Sequence, residues 1–492
     1  MKKFKIVYLA SSILAISACS DNASIESVID QKITSLGLTG DPATGRVLPE
    51  ITDPKAQLGM KLFYTKGLGG DQDSACVTCH HPSLGGGDDL SLSVGTEAVI
   101  PDLLGPGRRH SSATGTHYDG GPTVPRNAPT TFNVGLWDEV LFHDGRVESI
   151  DKTVGVNGAG VGGIRTPDSV DSTTADPVAG PNLAAAQSRF PVTSNEEMRG
   201  HSYAQTSNAA LRTALEARLA GGANTELALN NWQAEFDAVY GASTTITYPL
   251  VADAIGEYER SQVFVDSPWK AYVNGDKSAL TEDEKRGAVL FFNSIADGGA
   301  DCASCHSGDF FTDEKFHVVA MPQVGRGKGD TSNGPAGTND FGRFRETGIA
   351  ADMYAFRTPS LVNVEVYGPW GHAGGYTSLE AVVRHHSNPQ AAIDAYDFNQ
   401  LEASVQAANM AVNTQSAMDQ LKANRTAAVI TPILHDSNLT DAEVGQVVAF
   451  LKALTDPCVK DRSCLAPWVP NAGDSNPDGL RVLATDNNGN EL

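Results

Sequence analysis

Residues 75–81 have the sequence ACVTCHH, in which a histidine directly follows the second of two cysteines. A second copy of the pattern, CASCH, occupies residues 302–306. The C-x-x-C-H pattern is typical of c-type haem attachment, because two thiols at this spacing form thioethers with one porphyrin and the adjacent imidazole binds its iron. The sequence therefore predicts two covalently bound haems, held by Cys76, Cys79 and His80 and by Cys302, Cys305 and His306.

Two other uses of paired cysteines fit these motifs less well. A zinc site with four thiolate ligands would place the two pairs closer together and needs no histidine after each. A redox dithiol of the thioredoxin kind expects a β-α-β context, which neither flank has. In the haem interpretation only one histidine of each motif is used, so we expect His81 to lie on the surface.

The first residues have the composition of an export signal. A basic start, MKKFK, precedes an apolar stretch over residues 6–17 that is too short to span a bilayer. The run ISAC at residues 16–19 resembles a bacterial lipoprotein box, with a plain secretory signal as the alternative. We predict a lipoprotein signal peptide over residues 1–18, a lipid anchor on Cys19 that favours the outer membrane, and a tether over residues 19–45.

Export also decides how the remaining cysteines are interpreted. Cys458 and Cys464 lie outside the haem motifs, and in an oxidising compartment they are expected to form a disulfide. The chain has 492 residues and a formal net charge of −23. This charge argues against nucleic acid as a partner, because a nucleic-acid interface needs clustered Lys and Arg.

An internal repeat surrounds the two motifs. QLGMKLF at residues 57–63 corresponds to EKRGAVLFF at residues 284–292, each preceding a motif as an amphipathic helix. RNAP at residues 126–129 corresponds to RTP at residues 357–359, and FHDG at residues 142–145 to GHAG at residues 371–374. The fold class is therefore predicted as mainly α, with two tandem cytochrome c-like haem domains, long irregular loops and few short strands.

The predicted organisation follows from this repeat. We assign residues 46–265 to an N-terminal haem domain, residues 266–470 to a C-terminal haem domain, and residues 471–492 to a disordered tail. Capping boxes at Thr281/Glu284 and Thr440/Glu443 mark two helix starts, and one further helix is expected over residues 255–271. Residues 154–181 form a predicted surface loop, and residues 391–425 a helical insertion with no assigned chemistry.

The chain resembles the bacterial di-haem cytochrome c peroxidase family, which includes the enzyme that matures methylamine dehydrogenase. The most specific resemblance outside the haem motifs is the spacing of Gln187, Pro191 and Glu197 in QSRFPVTSNEEM, residues 187–198. The resemblance implies that Glu197 and Gln187 stand over the open face of the first haem. There Glu197 would move a proton between the peroxide oxygens and Gln187 would hold the peroxide, with Glu196 as a rival carboxylate.

The chain departs from the family at two iron sites. Where the family has Met or Tyr as the far ligand of the second haem, this sequence has His386, with His385 as the backup. A pair of histidine ligands lowers the haem potential relative to His/Met. Where many members carry a histidine that blocks the first iron, this chain has Thr96, so we expect an open or water-bound first haem. His110 and His117 could replace that ligand, although solvent exposure is expected for both.

The family also suggests further sites. His143 occupies the position of an inter-haem tryptophan, where it could assist electron transfer or pack against a propionate. The family binds calcium between its domains through an asparagine and two backbone carbonyls. The matching positions here are Asn127, Tyr367 and Pro369.

The resemblance implies a periplasmic peroxidase that reduces H2O2 to water. Electrons from a small donor, a cytochrome c or a cupredoxin, would enter at the C-terminal haem and be used at the N-terminal haem. The alternatives are a maturation-type oxidase acting on Trp or Tyr of a partner protein and a non-enzymatic electron carrier. A homodimer is a candidate assembly.

Overall fold

The computed structural model describes residues 24–111, 123–203, 207–330, 338–427 and 432–492. Within these ranges the protein is mainly helical with a few short strands, as predicted. The signal peptide, Cys19 and His117 lie outside the described residues. Every helix of the described part is too short or too polar to traverse a bilayer. The helices are α1 (Ile25–Leu36), α2 (Pro54–Tyr64), α3 (Leu183–Gln187), α4 (Asn208–Ala220), α5 (Trp232–Tyr240), α6 (Tyr248–Arg260), α7 (Pro268–Val273), α8 (Glu282–Phe292), α9 (Phe344–Thr347), α10 (Leu379–Ser387), α11 (Pro389–Asp394), α12 (Met410–Ala427), α13 (Asp441–Lys452) and α14 (Arg462–Leu465).

Five short strands accompany the helices. Strands β1 (Val140–Leu141), β2 (Val147–Ser149) and β3 (Ile164–Arg165) form an antiparallel sheet in that order, with Val140 opposite Glu148 and Ser149 opposite Ile164. Strands β4 (Phe316–His317) and β5 (Phe356–Arg357) form a second antiparallel pair. All five are too short to build a core, which is left to the helices.

Two helix pairs form the centres of the two halves. In the first, α2 crosses α6 so closely that a Cβ on Gly59 would lie 1.9 Å from the Ala254 carbonyl oxygen. In the second, α8 crosses α13, and a Cβ on Gly287 would lie 2.0 Å from the Gln446 carbonyl oxygen. Only glycine fits at either crossing. Gly59 and Gly287 hold equivalent positions in the sequence repeat, so the repeat extends to how the helices pack.

Both predicted capping boxes are confirmed. At the start of α8, the Thr281 hydroxyl accepts from the Glu284 amide while the Glu284 carboxylate accepts from the Thr281 amide, and Thr440 and Glu443 do the same at the start of α13. The prediction of one helix over residues 255–271 is wrong, because α6 ends at Arg260 and α7 begins at Pro268. The Ser267 hydroxyl caps α7, and Pro268 favours a new helix start there. Cys458 and Cys464 form the expected disulfide.

The chain before residue 46 differs from the predicted tether. Helix α1 packs against α8 with Ile29 buried in the core of the C-terminal half, and Glu26 pairs with Lys285 at 2.8 Å. The Asp309 carboxylate then accepts hydrogen bonds from the Thr39 and Gly40 amides. The tether is predicted from its place after the lipid-anchor cysteine, whereas these long-range contacts fix the segment from residue 24 onward.

The C-terminal tail also differs from its prediction of disorder. Residues 471–492 lie along the N-terminal half, where the Asp478 carboxylate accepts from the Trp232 indole at 2.9 Å and the Thr65 hydroxyl at 2.6 Å. The Val482 amide donates to the Tyr64 carbonyl. The tail is rich in Asn, Asp and Gly and has few apolar residues, so its composition alone gave no sign of these contacts.

Candidate functional site

The first C-x-x-C-H motif lies in a loop directly after α2. Cys76 begins a 3₁₀ turn, and Cys76 and Cys79 are both free thiols. The His80 ring donates from Nδ1 to the Gly86 carbonyl at 3.2 Å, which leaves Nε2 for a metal. Burial lowers the pKa of His80 and so favours the neutral imidazole that iron binding needs. These residues fit the predicted haem.

The second motif has the same arrangement, with a second histidine, His386, near the histidine of the motif. The His306 ring is bonded through Nδ1 to the Phe311 and Pro359 carbonyls, each at 3.1 Å. The His386 ring is bonded through Nδ1 to the Val382 carbonyl at 2.9 Å, so Nε2 of both histidines is left for a metal. The two ring centres are 6.5 Å apart. An iron between two imidazoles, with metal–nitrogen bonds of roughly 2 Å, separates the ring centres by about 6 Å.

His385, the backup ligand, has both ring nitrogens engaged. Its Nδ1 is 2.7 Å from the Tyr376 hydroxyl and its Nε2 is 2.7 Å from the Val319 carbonyl oxygen. Neither nitrogen is left for iron, so the geometry favours His386 over His385.

The carboxylate region of the first site lies on a turn of π-helix over Asn195–Arg199. This turn is bonded to the first haem loop: the Gly70 amide donates to the Met198 carbonyl at 2.7 Å, and the Ser74 hydroxyl donates to the Glu197 carbonyl at 3.0 Å. These two contacts place the backbone of the Glu197 turn against the loop that carries the first motif.

Gln187 and Glu196 flank this region. Gln187 is the last residue of α3, and a 3₁₀ turn over Pro191–Thr193 connects it to the Glu197 turn. The Glu196 carboxylate accepts from Arg326 of the C-terminal half at 2.9 Å. This ion pair joins the Glu197 turn to the C-terminal half, and the choice of Glu197 over Glu196 stays a prediction.

Thr96 lies against the same turn. Its amide donates to the Glu196 carbonyl at 3.2 Å and its hydroxyl to the Asn195 carbonyl at 3.3 Å. The position at which many family members carry a blocking histidine is therefore next to the proposed peroxide site. The Thr96 side chain is short, and its hydroxyl is bonded to the backbone of the turn.

Three further histidines are placed by the structure. The prediction that His81 is a surface residue is wrong: it is fully buried, its Nδ1 accepts from the Ser83 amide, and burial lowers its pKa to about 3. The His110 side chain is also buried, 3.1 Å from the Glu97 carboxylate, rather than solvent-exposed. The His143 ring bonds the Asn127 carbonyl at 3.0 Å. The contacts of His110 and His143 are with residues more than ten positions earlier in the chain, which the local sequence does not encode.

The two halves meet near His143. The buried Arg126 side chain pairs with Asp144 and, across the halves, with Asp340, each at 2.6 Å. The Arg357 guanidinium lies 3.4 Å from the centre of the Trp137 ring. These contacts join the segment after the first motif to the segment after the second.

Calcium stays a prediction. Asn127 donates from its side-chain amide to the Leu90 and Ser91 carbonyls at 3.0 and 3.2 Å, and the Tyr367 hydroxyl donates to a backbone carbonyl. The Gly368–Pro369 peptide bond is cis. The described residues contain no group of three or more His, Cys, Asp or Glu side chains placed to hold a metal. The resemblance assigns calcium to neutral amide and carbonyl oxygens. The absence of a His, Cys, Asp or Glu group among the described residues therefore does not test this prediction.

Glu259 is a buried residue near the site that the sequence analysis did not identify. This residue of α6 is buried, and its carboxyl lies 3.2 Å from the hydroxyl of Ser188, the residue after Gln187. Burial raises its pKa to about 8. The Glu-Tyr-Glu-Arg run at residues 257–260 suggests an exposed helix end. The spacing of Val251, Ile255 and Glu259 along the buried face of α6 was the signal that could have identified it.

The stability of the protein is expected to depend on pH through Glu259. Because folding raises the pKa from its ordinary value of about 4.5 to about 8, the neutral acid stabilises the fold fully below pH 4.5, and this contribution is lost as the pH rises through 8. Glu259→Gln should flatten that decline in thermal midpoints measured from pH 5 to pH 9. Glu257→Gln, in the same helix and paired with Arg260, should keep the wild-type slope. An unchanged slope in Glu259→Gln would contradict the prediction.

Arg326 is expected to position the Glu197 turn. Arg326→Gln removes a charged hydrogen bond worth roughly 1.5–3 kcal/mol, so kcat/KM for peroxide should fall by about tenfold or more while haem content is unchanged. Arg286→Gln, at an exposed pair with Glu282, is the control. Wild-type peroxide kinetics in Arg326→Gln would show that the pair does not position the turn.

Comparisons with known proteins identify the relatives of this chain. Residues 53–278 match the family described as di-haem cytochrome c peroxidase. The methylamine utilization protein MauG of Methylorubrum extorquens is 28% identical over 339 residues, 68% of this chain and 69% of that protein. The cytochrome c551 peroxidase of Pseudomonas aeruginosa is 26% identical over 340 residues, 69% of this chain and 73% of that protein.

Solved structures agree on the fold. A MauG-like protein associated with microbial copper homeostasis superposes with a TM-score of 0.53 at 21% identity, covering 88% of this chain and 97% of that one. The diheme peroxidase BthA from Burkholderia thailandensis gives a TM-score of 0.52 at 20% identity, covering 90% and 92%. The chain is thus an oxidoreductase, and its residues 53–278 match the di-haem cytochrome c peroxidase family.

Proposed function

We propose that this chain is a lipid-anchored periplasmic peroxidase that reduces H2O2 to water with electrons from a small cytochrome c or cupredoxin. The observation that carries the proposal is the attachment of the Glu197 turn to the first haem loop through Ser74 and Gly70. This contact brings a carboxylate to one haem site, whereas the other site has the paired rings of His306 and His386.

The first site is proposed to hold its haem through Cys76, Cys79 and His80 and to be the peroxidatic one. Bound haem supplies the iron at which the oxygen–oxygen bond of peroxide is broken. Glu197 accepts a proton from one peroxide oxygen and returns it to the leaving oxygen. Gln187 orients the peroxide by hydrogen bonding, which keeps the reacting atoms within reach of the carboxylate.

The second site is proposed to hold its haem through Cys302 and Cys305, with His306 and His386 as the iron ligands. With His306 and His386 both bound to its iron, this haem would have no position left for peroxide, which would suit the site to electron transfer. Electrons then cross to the first site through the region where Arg126, Trp137 and Arg357 join the halves. Calcium at Asn127, Tyr367 and Pro369 would stiffen this junction.

A maturation-type oxidase that modifies Trp or Tyr of a partner protein is the second candidate. The similarity to a methylamine utilization protein favours it, since that relative has a higher identity than the cytochrome c551 peroxidase. The His386 ligand adds support, because a lower potential at the second haem weakens electron transfer from high-potential donors.

A steady-state assay distinguishes the two candidates. The di-haem protein is mixed with H2O2 and a reduced small cytochrome c or cupredoxin, and donor oxidation is followed optically. Rapid, saturable turnover supports the peroxidase. The oxidase is favoured by two results together. No donor is oxidised at an appreciable rate, and the peroxide-treated protein is instead reduced by an added Trp- or Tyr-bearing protein. This outcome would overturn the peroxidase proposal.

A further inference from the structure

Tyr376 has a position that the proposed function does not use. It lies in the loop before α10, whose last turn carries His385 and the proposed ligand His386. Tyr376 is only 4% exposed and His385 is fully buried. Neither residue has a role in the chemistry described so far.

The hydrogen bonds around His385 fix where its proton sits. The Val319 carbonyl, 2.7 Å from Nε2, can only accept, so Nε2 carries the hydrogen. A neutral imidazole then has a bare Nδ1, which must be the acceptor. The Tyr376 hydroxyl, 2.7 Å away, therefore donates to His385 Nδ1. The phenol of Tyr376 is bonded directly to a base in a buried site.

A chain of ring contacts leads from this pair to the surface. The His385 ring centre is 6.0 Å from that of His386 and 5.4 Å from that of Tyr376. The ring centre of Tyr376 is 5.3 Å from that of Tyr396, and the ring centre of Tyr396 is 4.6 Å from that of Phe398. Tyr396 and Phe398 are half-buried and lie in the insertion over residues 391–425. The insertion therefore brings aromatic rings against Tyr376.

A purely structural hydrogen bond would account for the pair but not for the ring contacts. Oxidation of a phenol to a neutral radical requires the loss of a proton along with the electron, and burial hinders release of that proton to water. Nδ1 of His385 already accepts the hydrogen bond, so it can take the proton without any movement of the side chains.

We propose that Tyr376 is a redox-active residue that relays electrons between the surface at Tyr396 and the second haem. The inference rests on the proposed function, because H2O2 is the oxidant that withdraws the electron through the haem pair. When Tyr376 loses one electron, its O–H bond breaks and an N–H bond forms at His385 Nδ1. When an electron arrives from the surface side, the proton returns to the phenol oxygen, and both residues regain their starting states.

The test uses the ferric protein with both haems, mixed with H2O2 without donor and frozen at intervals for EPR. A radical signal that narrows when the protein is grown with ring-deuterated tyrosine is expected. It should be lost in Tyr376→Phe and kept in Tyr272→Phe, whose buried hydroxyl has no hydrogen-bond partner among the described residues. The optical spectrum of the second haem should be the same in all three proteins.

Two results would overturn the inference. One is the same tyrosyl signal in Tyr376→Phe. The other is a wild-type protein whose haem spectra respond to H2O2 but which forms no tyrosyl radical at any time, and this result needs no variant. Haem spectra that do not respond to H2O2 would instead overturn the peroxidase proposal, and the relay with it.

Discussion

Replacing Glu197 with glutamine is expected to abolish most peroxide turnover while both haems stay attached. Glutamine keeps the size of the side chain but can neither accept nor return the proton that passes between the peroxide oxygens. General acid–base groups typically contribute roughly 10²–10⁴-fold, so kcat should fall by that factor. Peroxide-dependent oxidation of a reduced donor measures the effect, and pyridine haemochrome spectra verify the haem content.

Glu196→Gln is the matched control for this prediction. The two carboxylates are neighbours on one turn, and Glu196 is engaged by Arg326. A glutamine at position 196 weakens the pair with Arg326, so the loss should be close to the tenfold expected for Arg326→Gln and well below that of Glu197→Gln. Full activity in Glu197→Gln, or equal losses in both variants, would remove Glu197 from the mechanism.

Replacing His386 with methionine is expected to raise the reduction potential of the second haem. Methionine opposite histidine raises the potential of a c-type haem relative to two histidines. A higher potential makes electron transfer to the first haem less favourable and electron uptake from the donor more favourable, so the potential itself is the decisive readout. A redox titration followed optically reports the potential, and a sulfur–iron charge-transfer band identifies the new ligand.

His385→Gln tests the same ligand assignment from the other side. His385 is bonded through both ring nitrogens, to Tyr376 and to Val319, and does not face the metal position. The low-spin spectrum of the second haem should therefore survive this change. A lost low-spin spectrum in His385→Gln with a normal spectrum in His386→Met would show that the two histidines are assigned in the wrong order.

The parts of the site that sequence predicted are those encoded over a few residues. The C-x-x-C-H motifs, the capping boxes at Thr281 and Thr440, and the Cys458–Cys464 disulfide depend on short spacings, and the structure has the features expected of each. The resemblance assigns His386 as the far ligand of the second haem, and the 6.5 Å between its ring centre and that of His306 agrees with that assignment.

The features that sequence did not predict depend on contacts between distant segments. The tail is ordered because the Asp478 carboxylate accepts hydrogen bonds from Trp232 and Thr65. The N-terminal segment is ordered because α1 packs on α8. His81 and Glu259 are polar residues at buried positions, which composition and local pattern assign to the surface. The ion pair of Glu196 with Arg326 spans 130 residues and has no local signature.

EPR of the resting ferric protein shows which of the two irons is open. Peroxide chemistry is assigned to the first haem, next to Glu197, and electron transfer to a second haem between His306 and His386. The resting spectrum should therefore contain one high-spin haem and one low-spin haem with two histidine ligands. Two low-spin haems would contradict the open first site, and with it the division of roles between the two halves.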